Sequence, residues 1–319
     1  MDPLDFAVYR FLSPNGEARF WAGRRVIDPR ITPREIAERA GITESGARTR
    51  LHHLTERGFL ADKTVIVNPA LFGRRVYLAD LLVRQSGEVD RILRDLALVE
   101  GVLFTRDIMD EDERKIQVHF ASETGPTAVR VGALLGRLSP AGTPVAPREY
   151  YIPPCDRELS PLDWRILQAV WRHPDATFVQ IADTARVSLK TAARIYHKLL
   201  DAHACWWTHG PESVEFPLAF VRADLNSPKD VPSIAGWIRQ QADAWMPVAH
   251  DGFGLEPDAA ATVLAGLVPA DIPTVLERFV RKLAGVKGVQ AVHRTFALGS
   301  ATYPKWFSER ISGQVHSRR

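Results

Sequence analysis

Basic and hydroxyl side chains recur at helical spacing in two segments of this 319-residue chain, and they are the residues best suited to recognition chemistry. In the first segment they are Ser45, Arg48, Thr49, Arg50 and His52, and in the second Lys190, Thr191, Arg194, His197 and Lys198. Arginine can bind guanine through two hydrogen bonds, and serine or threonine can bond bases or phosphates. The alternative is ordinary solvated charge, because the chain uses 33 Arg against 8 Lys throughout.

Motifs of the common catalytic centres are missing from the sequence. There is no Gly-x-Ser-x-Gly elbow, phosphate-binding loop, His-Glu-x-x-His or paired-cysteine motif. The two cysteines, Cys155 and Cys205, support neither a disulfide framework nor a cysteine-rich zinc site. We therefore expect no catalytic residues, no metal site and no cofactor.

Charge and hydropathy limit the class of protein further. The 41 Lys and Arg residues nearly balance 38 Asp and Glu, so any nucleic-acid binding must come from local patches rather than a polybasic tail. No apolar stretch reaches 18 residues, and the acidic N-terminal sequence MDPLDFAVYR is unlike a signal peptide. These features predict a cytoplasmic protein that makes no membrane contact.

The chain contains an internal repeat. Residues 36–60 align with residues 181–205 without gaps, at an offset of 145 and with six identical positions. The sequences LDFAVYRFL and LDWRILQAV, which precede the two segments, also match. A duplication is the economical explanation.

Each repeated segment is predicted to form two short helices joined by a tight turn. Apolar positions from Ile36 to Ala40 follow helical spacing, Gly41 ends that helix, and Thr43 is a suitable N-cap for the next. In the second copy Ser188 is the N-cap, while Arg186 replaces the turn glycine and fits a left-handed turn less well. This arrangement is typical of a helix-turn-helix.

The segments that follow each helix pair also repeat in kind. Val65 and Val67 alternate as in the strand of a wing. The remaining patterns in both halves read β-α-β-β-α-β, which is the ferredoxin-like order. The sequence therefore predicts an α+β chain.

Two tandem units, each a winged helix-turn-helix followed by a ferredoxin-like domain, resemble the Lrp/AsnC family of transcription regulators. The motif that carries the resemblance is PREIAERAGITESGARTRLHHLTERGFL, and SPLDWRILQAV with residues 181–205 forms a second, weaker instance. The resemblance covers nearly the whole chain. The expected domains are winged helix-turn-helix domains at 1–74 and, with the linker, 154–215, and ferredoxin-like domains at 75–153 and 216–319.

The resemblance implies a sequence-specific transcription regulator whose partner is double-stranded promoter DNA. In such a fold the second helix of the helix-turn-helix enters the major groove, so both basic sets named above are expected to contact DNA. Family members usually carry one unit per chain and pair through the ferredoxin-like domains. The joined units therefore suggest a single-chain pseudo-dimer or half of a larger assembly, and we expect a homo-oligomer.

The first copy carries a long insertion, SPNGEARFWAGRRVIDPRIT, before the motif. Its arginines, among them Arg24 and Arg25, could contact phosphates beside the recognition helix. The alternative is an exposed turn anchored by two aromatic residues. In the second copy, Trp206 and Trp207 are expected in the core or at the base of the wing rather than as platforms for bases.

Family members resembling this chain bind an amino acid or another small effector at a Gly-x-x-Asp-like turn between the second and third strands. The first copy has the acidic hairpin DIMDEDERKIQ there, without glycine. The second copy offers His250, Asp251 and Gly252, which makes it the better candidate for an effector pocket. The alternative is a hairpin turn that requires glycine for its backbone alone.

Two other functions stay open at this level. Siroheme decarboxylases resemble the family in domain plan, and His119, His250 and His293 lie on predicted sandwich segments that could face a tetrapyrrole. A strand histidine is, however, commonly packed or half-exposed. An assembly factor whose helix-turn-helix copies bind protein is the third hypothesis.

Overall fold

The computed structural model describes residues 3–12, 19–21, 24–58, 60, 63–110, 113–139, 145–150, 152–155, 157–209, 218–240, 246–247, 262–267 and 272–316.

Capping residues specified by the sequence define the helices of the first unit. The first helices are α1 (Pro3–Arg10), α2 (Pro33–Ala40) and α3 (Glu44–Glu56). Thr32 and Glu35 form a reciprocal capping box at the start of α2, and Gly41 ends α2 in the left-handed region at φ 66°.

The second unit repeats this arrangement, but two of its non-glycine residues, Arg186 and His203, adopt left-handed backbone angles. Its helices are α6 (Pro161–Arg172), α7 (Phe178–Ala185) and α8 (Leu189–Asp201). Arg186 occupies the place of Gly41 and adopts the same left-handed conformation at φ 54°. The predicted helix-turn-helix is therefore present in both copies, although the second requires a costly backbone angle from a residue with a Cβ atom.

The two helix-turn-helix domains share one four-stranded sheet. Its strands are β1 (Arg19–Trp21), β2 (Arg24–Ile27), β3 (Thr64–Val67) and β8 (Cys205–His209). The order is β1-β2-β8-β3, and β8 pairs antiparallel with both β2 and β3. The predicted wing strand at Val65 and Val67 is thus correct, but its partner is the corresponding strand of the other copy.

The ferredoxin-like halves form one continuous eight-stranded antiparallel sheet in the order β10-β11-β9-β12-β5-β6-β4-β7. The first half consists of β4 (Arg75–Val83), α4 (Val89–Leu96), β5 (Val102–Asp110), β6 (Glu113–Ser122), α5 (Gly125–Gly136) and β7 (Arg148–Tyr150). The second consists of β9 (Leu218–Leu225), α9 (Val231–Gln240), β10 (Met246–Pro247), β11 (Thr262–Leu267), α10 (Ile272–Ala284) and β12 (Val289–Thr302). Strand β12 pairs with β5 and joins the halves. The predicted β-α-β-β-α-β order is confirmed in both.

The apolar core differs between the two helix-turn-helix domains. The first keeps a small core of its own, which includes Val8, Ile36 and Leu54. The second is built into a larger core that also contains β3, one face of β4 and β5, and the C-terminal helix α11 (Lys305–His316). The second copy is therefore held more firmly against the sheet than the first.

The described part of the chain contains no helix that is both long and apolar enough to cross a membrane.

Candidate nucleic-acid interface

The N-terminal half of α3 presents polar side chains to solvent. Thr43 caps the helix, since its hydroxyl accepts a hydrogen bond of 3.0 Å from the Gly46 amide. Ala47 and Leu54 are fully buried on the opposite face and fix the rotation of the helix. The exposed residues include four of the predicted set, Ser45, Arg48, Thr49 and His52.

Two of these exposed side chains make weak contacts with glutamates on the same helix, one turn away. Arg48 lies 2.6 Å from Glu44, and His52 lies 3.2 Å from Glu56. All four side chains are exposed, so each pair contributes little and can be exchanged for another partner. Arg48 thus remains accessible to an anion or a base edge.

The structure uses Arg50 for a different purpose. Its guanidinium donates a hydrogen bond of 2.8 Å to Asp5, a carboxylate of α1 that is almost fully buried. Arg57 lies 3.7 Å from the other oxygen of the same carboxylate. Arg50 therefore ties α1 to α3 inside the unit, and we do not include it among the proposed DNA contacts.

The exposed face of α8 resembles that of α3 but differs in the roles of two residues. Lys190, Arg194 and His197 are exposed, and Thr191 is half-buried with its hydroxyl 2.9 Å from that of Ser188. Lys198 instead donates to both oxygens of the buried Asp163, at 2.8 and 3.0 Å. Lys198 is therefore an internal anchor, as Arg50 is in the first copy.

The two buried aspartates orient α3 and α8, and the sequence patterns did not identify this role. Asp5 and Asp163 occupy the same place in the repeated Leu-Asp sequences of α1 and α6. Asp163 also accepts the Ser160 amide at 2.9 Å, so one carboxylate caps α6 and orients α8. The matching Leu-Asp pair upstream of each motif is the signal that could have identified them.

The insertion in the first copy forms a hairpin rather than a free turn. Arg24 and Arg25 lie on β2, where Arg25 pairs with His209 of β8 in backbone register. Arg30, just beyond the hairpin, binds Asp28 and, at 2.7 Å, Asp201 at the end of α8. Hydrogen bonds to these carboxylates raise the pKa of the Arg30 guanidinium above its ordinary value. Arg30 thus links the two units.

The tryptophan prediction is confirmed. Trp206 and Trp207 lie on β8 and are buried in the large core. The indole nitrogen of Trp207 donates to the Pro174 carbonyl oxygen at 3.2 Å. Neither side chain is available to stack on a base.

The predicted effector residues His250, Asp251 and Gly252 lie outside the described residues. The corresponding turn of the first copy is the predicted hairpin, between β5 and β6. Arg114 donates to Asp107 across it at 2.9 Å, which closes the hairpin with an ion pair.

The described histidines of the sandwich are engaged within the protein. His119 is 1% exposed, and its ring packs edge-on against Tyr150 and Phe104, with centroids 4.7 and 5.7 Å away. Burial and the nearby Arg106 and Arg148 hold the pKa of His119 well below its usual range, so the ring is neutral. His293 lies 2.9 Å from Asp224 on the neighbouring strand. Among the described residues no group of His, Cys, Asp and Glu is arranged to hold a metal ion.

Comparisons with known proteins agree with this architecture. A family model described as winged helix-turn-helix DNA-binding matches residues 28–61. No curated protein matches the chain. The crystal structure of the siroheme decarboxylase NirDL is similar at 11% identity and a TM-score of 0.51, covering 99% of this chain and 100% of that one.

Two further structures are similar at low identity. The same enzyme in co-complex with an iron-uroporphyrin III analogue gives 10% identity and a TM-score of 0.50 over 90% of this chain and 93% of that one. E. coli AsnC gives 17% identity and a TM-score of 0.32 over 45% of this chain and 94% of that one. The chain therefore has a tandem α+β fold along its whole length, as NirDL has. At these identities the likeness concerns the fold alone.

Proposed function

We propose that this protein is a transcription regulator that binds double-stranded DNA through α3, with α8 as a second reading helix. One observation carries the proposal. The capped start of α3 presents Arg48 with hydroxyl side chains on an exposed face, within the segment that matches a DNA-binding winged helix-turn-helix. Such a face suits the edges of bases in the major groove.

The geometry divides the basic residues into two groups. Arg50 and Lys198 hold their helices in place through buried aspartates, whereas Arg48 and Arg194 extend into solvent. Only the second group has donors that DNA can reach without breaking a contact to a buried carboxylate. We therefore assign base or phosphate contact to Arg48 and Arg194.

The test measures the affinity of single variants for the upstream region of the protein's own gene. Arg48→Ala and Arg194→Ala should each weaken binding, and loss of one bidentate contact to guanine corresponds to about 5- to 150-fold. Arg281→Ala is the matched control, because Arg281 is also exposed and pairs with a glutamate four residues before it on α10, which is not one of the proposed reading helices. Fluorescence anisotropy at low salt gives the dissociation constants.

A salt titration then separates the two kinds of contact. A lost phosphate contact should flatten the slope of log K against log salt by about one, whereas a lost base contact should relax sequence choice. If both arginine variants bind like the control while circular dichroism shows an intact fold, α3 and α8 are not the reading helices.

A tetrapyrrole-decarboxylating enzyme is the alternative that must be tested beside this proposal. It is favoured by the full-length likeness in fold, but the described histidines do not support it. His119 is buried and neutral between two aromatic rings, and His293 is held by Asp224. A specific absorbance band on adding siroheme to the purified protein, followed by loss of carboxylate from the siroheme, would overturn the regulator proposal.

A protein-binding assembly factor predicts a third outcome. Such a protein would show no salt-dependent retention of the upstream DNA fragment. The anisotropy experiment above therefore distinguishes it from the regulator.

A further inference from the structure

A cavity of about 150 Å³, open to solvent on the side of the exposed Thr302 and Pro304, lies where all four domains of the chain meet. One wall is β3, the wing strand of the first unit, and another is the end of α6 in the second. The start of β5 and the turn from β12 into α11 complete it, with Leu103, Phe104 and Phe307 among the apolar side chains. No other position described above brings both helix-turn-helix domains and both ferredoxin-like halves to one space.

The lining of this junction cavity is suited to an uncharged molecule. None of the described side chains that line it is charged. The Tyr303 hydroxyl lies 3.2 Å from the Leu93 carbonyl oxygen, to which it donates, and the Thr64 hydroxyl lies 3.0 Å from that of Thr208. Because these two hydroxyl groups already have partners and most of the other lining side chains are apolar, a zwitterionic amino acid would lose part of its hydration without replacement.

The size of the junction cavity restricts the ligand further. An apolar cavity of about 150 Å³ engineered in another protein stays dry and binds benzene. We propose that the junction cavity binds a small uncharged aromatic or branched aliphatic molecule of about that size, and that its occupancy changes the affinity of the protein for DNA. The second half of this statement rests on the proposed function, whereas the first does not.

The connection to the reading helices is direct. Strand β3 follows α3 and pairs with β8, which follows α8. A ligand between β3 and the eight-stranded sheet would fix the position of the shared wing sheet relative to that sheet. The ligand shifts the equilibrium between two orientations of the helix-turn-helix domains only if it binds one orientation more tightly than the other.

The binding test uses toluene as the probe, with benzoate and phenylalanine as charged controls. Isothermal titration calorimetry should detect toluene binding and neither control. At tenfold excess over its dissociation constant, toluene should raise Tm by about 2 °C. Absence of toluene binding overturns the proposal.

Two matched variants locate the probe. Thr302→Phe adds bulk at an exposed residue of β12 that lines the junction cavity, and it should weaken toluene binding at least about tenfold. Ser300→Phe adds the same bulk two residues earlier on the same face of the strand, outside the described lining, and it should leave toluene binding unchanged. Equal toluene affinity in both variants, each with a wild-type melting curve otherwise, places the ligand elsewhere and refutes the site.

The effector role is measured on the wild-type protein with the upstream DNA fragment. Toluene at tenfold excess over its wild-type dissociation constant should change the DNA dissociation constant at least about threefold, and Thr302→Phe should reduce this change at the same toluene concentration. Toluene binding with unchanged DNA affinity overturns the effector role. A protein that binds toluene but no DNA contradicts the proposed function and leaves the ligand site standing.

Discussion

Replacing Asp163 tests whether a buried carboxylate holds the second reading helix in place. The carboxylate is 1% exposed, accepts the Ser160 amide, and binds the Lys198 ammonium through both oxygens. Asp163→Asn keeps an oxygen for the helix cap but removes the charge that Lys198 faces. Asp163→Ala removes both interactions, so the two variants separate the ion pair from the cap.

The expected magnitudes follow from these contacts. Breaking a fully buried ion pair costs about 3–5 kcal/mol, but the Lys198 side chain is 24% exposed and water recovers part of its hydration. We therefore expect Asp163→Asn to lower the free energy of unfolding by about 2 kcal/mol. Loss of the cap adds about 1 kcal/mol in Asp163→Ala. Lys198→Met in the Asn background should restore part of the loss, because it removes the unpaired ammonium.

The pH dependence has a definite sign. Burial opposes ionisation, but hydrogen bonds from Lys198 and Ser160 outweigh it and hold the pKa of Asp163 below its ordinary value. The stabilisation is therefore fully present above the ordinary carboxyl pKa of about 4 and is lost as pH falls through the lower folded-state pKa. The difference between wild type and Asp163→Asn should shrink below about pH 4.

Urea unfolding followed by circular dichroism at pH 7 and at pH 3 measures these differences. The reasoning is refuted if Asp163→Asn lies within about 0.5 kcal/mol of wild type at pH 7. A difference between the two proteins that is the same at both pH values would also refute it, because the charge would then play no part.

Three further predictions concern the two helix-turn-helix domains. Glu44→Gln removes the carboxylate that competes with DNA for Arg48. It should strengthen DNA binding by about two- to fivefold at low salt, as measured by fluorescence anisotropy. Unchanged or weaker binding would mean that Glu44 instead orients Arg48 for DNA. Gly41→Arg should cost about 1 kcal/mol of stability in thermal melts, since nothing crowds a Cβ there and only the left-handed backbone opposes it. Arg186→Gly should stabilise the second copy by about 0.5 kcal/mol, and a loss of stability would show that the arginine makes a compensating contact.

Local patterns account for the elements that could be predicted. Helix spacing, N-caps such as Thr43 and the turn at Gly41 act within a few residues, so the sequence expresses them directly. The burial of Trp206 and Trp207 could be predicted in the same way, because large apolar side chains on a predicted wing strand are usually buried in a core. The repeat then extends each local prediction to the other copy.

Long-range pairing accounts for what could not be predicted. Alternation at Val65 predicts a strand, but the pairing of β3 with β8 joins residues more than 130 positions apart and leaves no local pattern. Helical spacing places Arg48 and Arg50 on different faces of α3, but it does not reveal that Arg50 forms an ion pair with the buried Asp5. The sequence patterns therefore could not predict which distant strands or side chains pair with each other. The repeated Leu-Asp pair did indicate that Asp5 and Asp163 occupy equivalent positions.

The pairing of β3 with β8 has a consequence for the symmetry of any operator. A dimer of identical subunits binds a palindrome, because its twofold axis makes both half-sites equivalent. Here the two paired strands belong to one chain, and the helices that precede them present Arg48 and Thr49 on one side and Lys190 and Arg194 on the other. A substitution in one half leaves the other half unchanged, so the two helices need not present the same side chains. In the proposed regulator, the preferred DNA sequence would be two unlike halves in a fixed order, with a direction along the duplex.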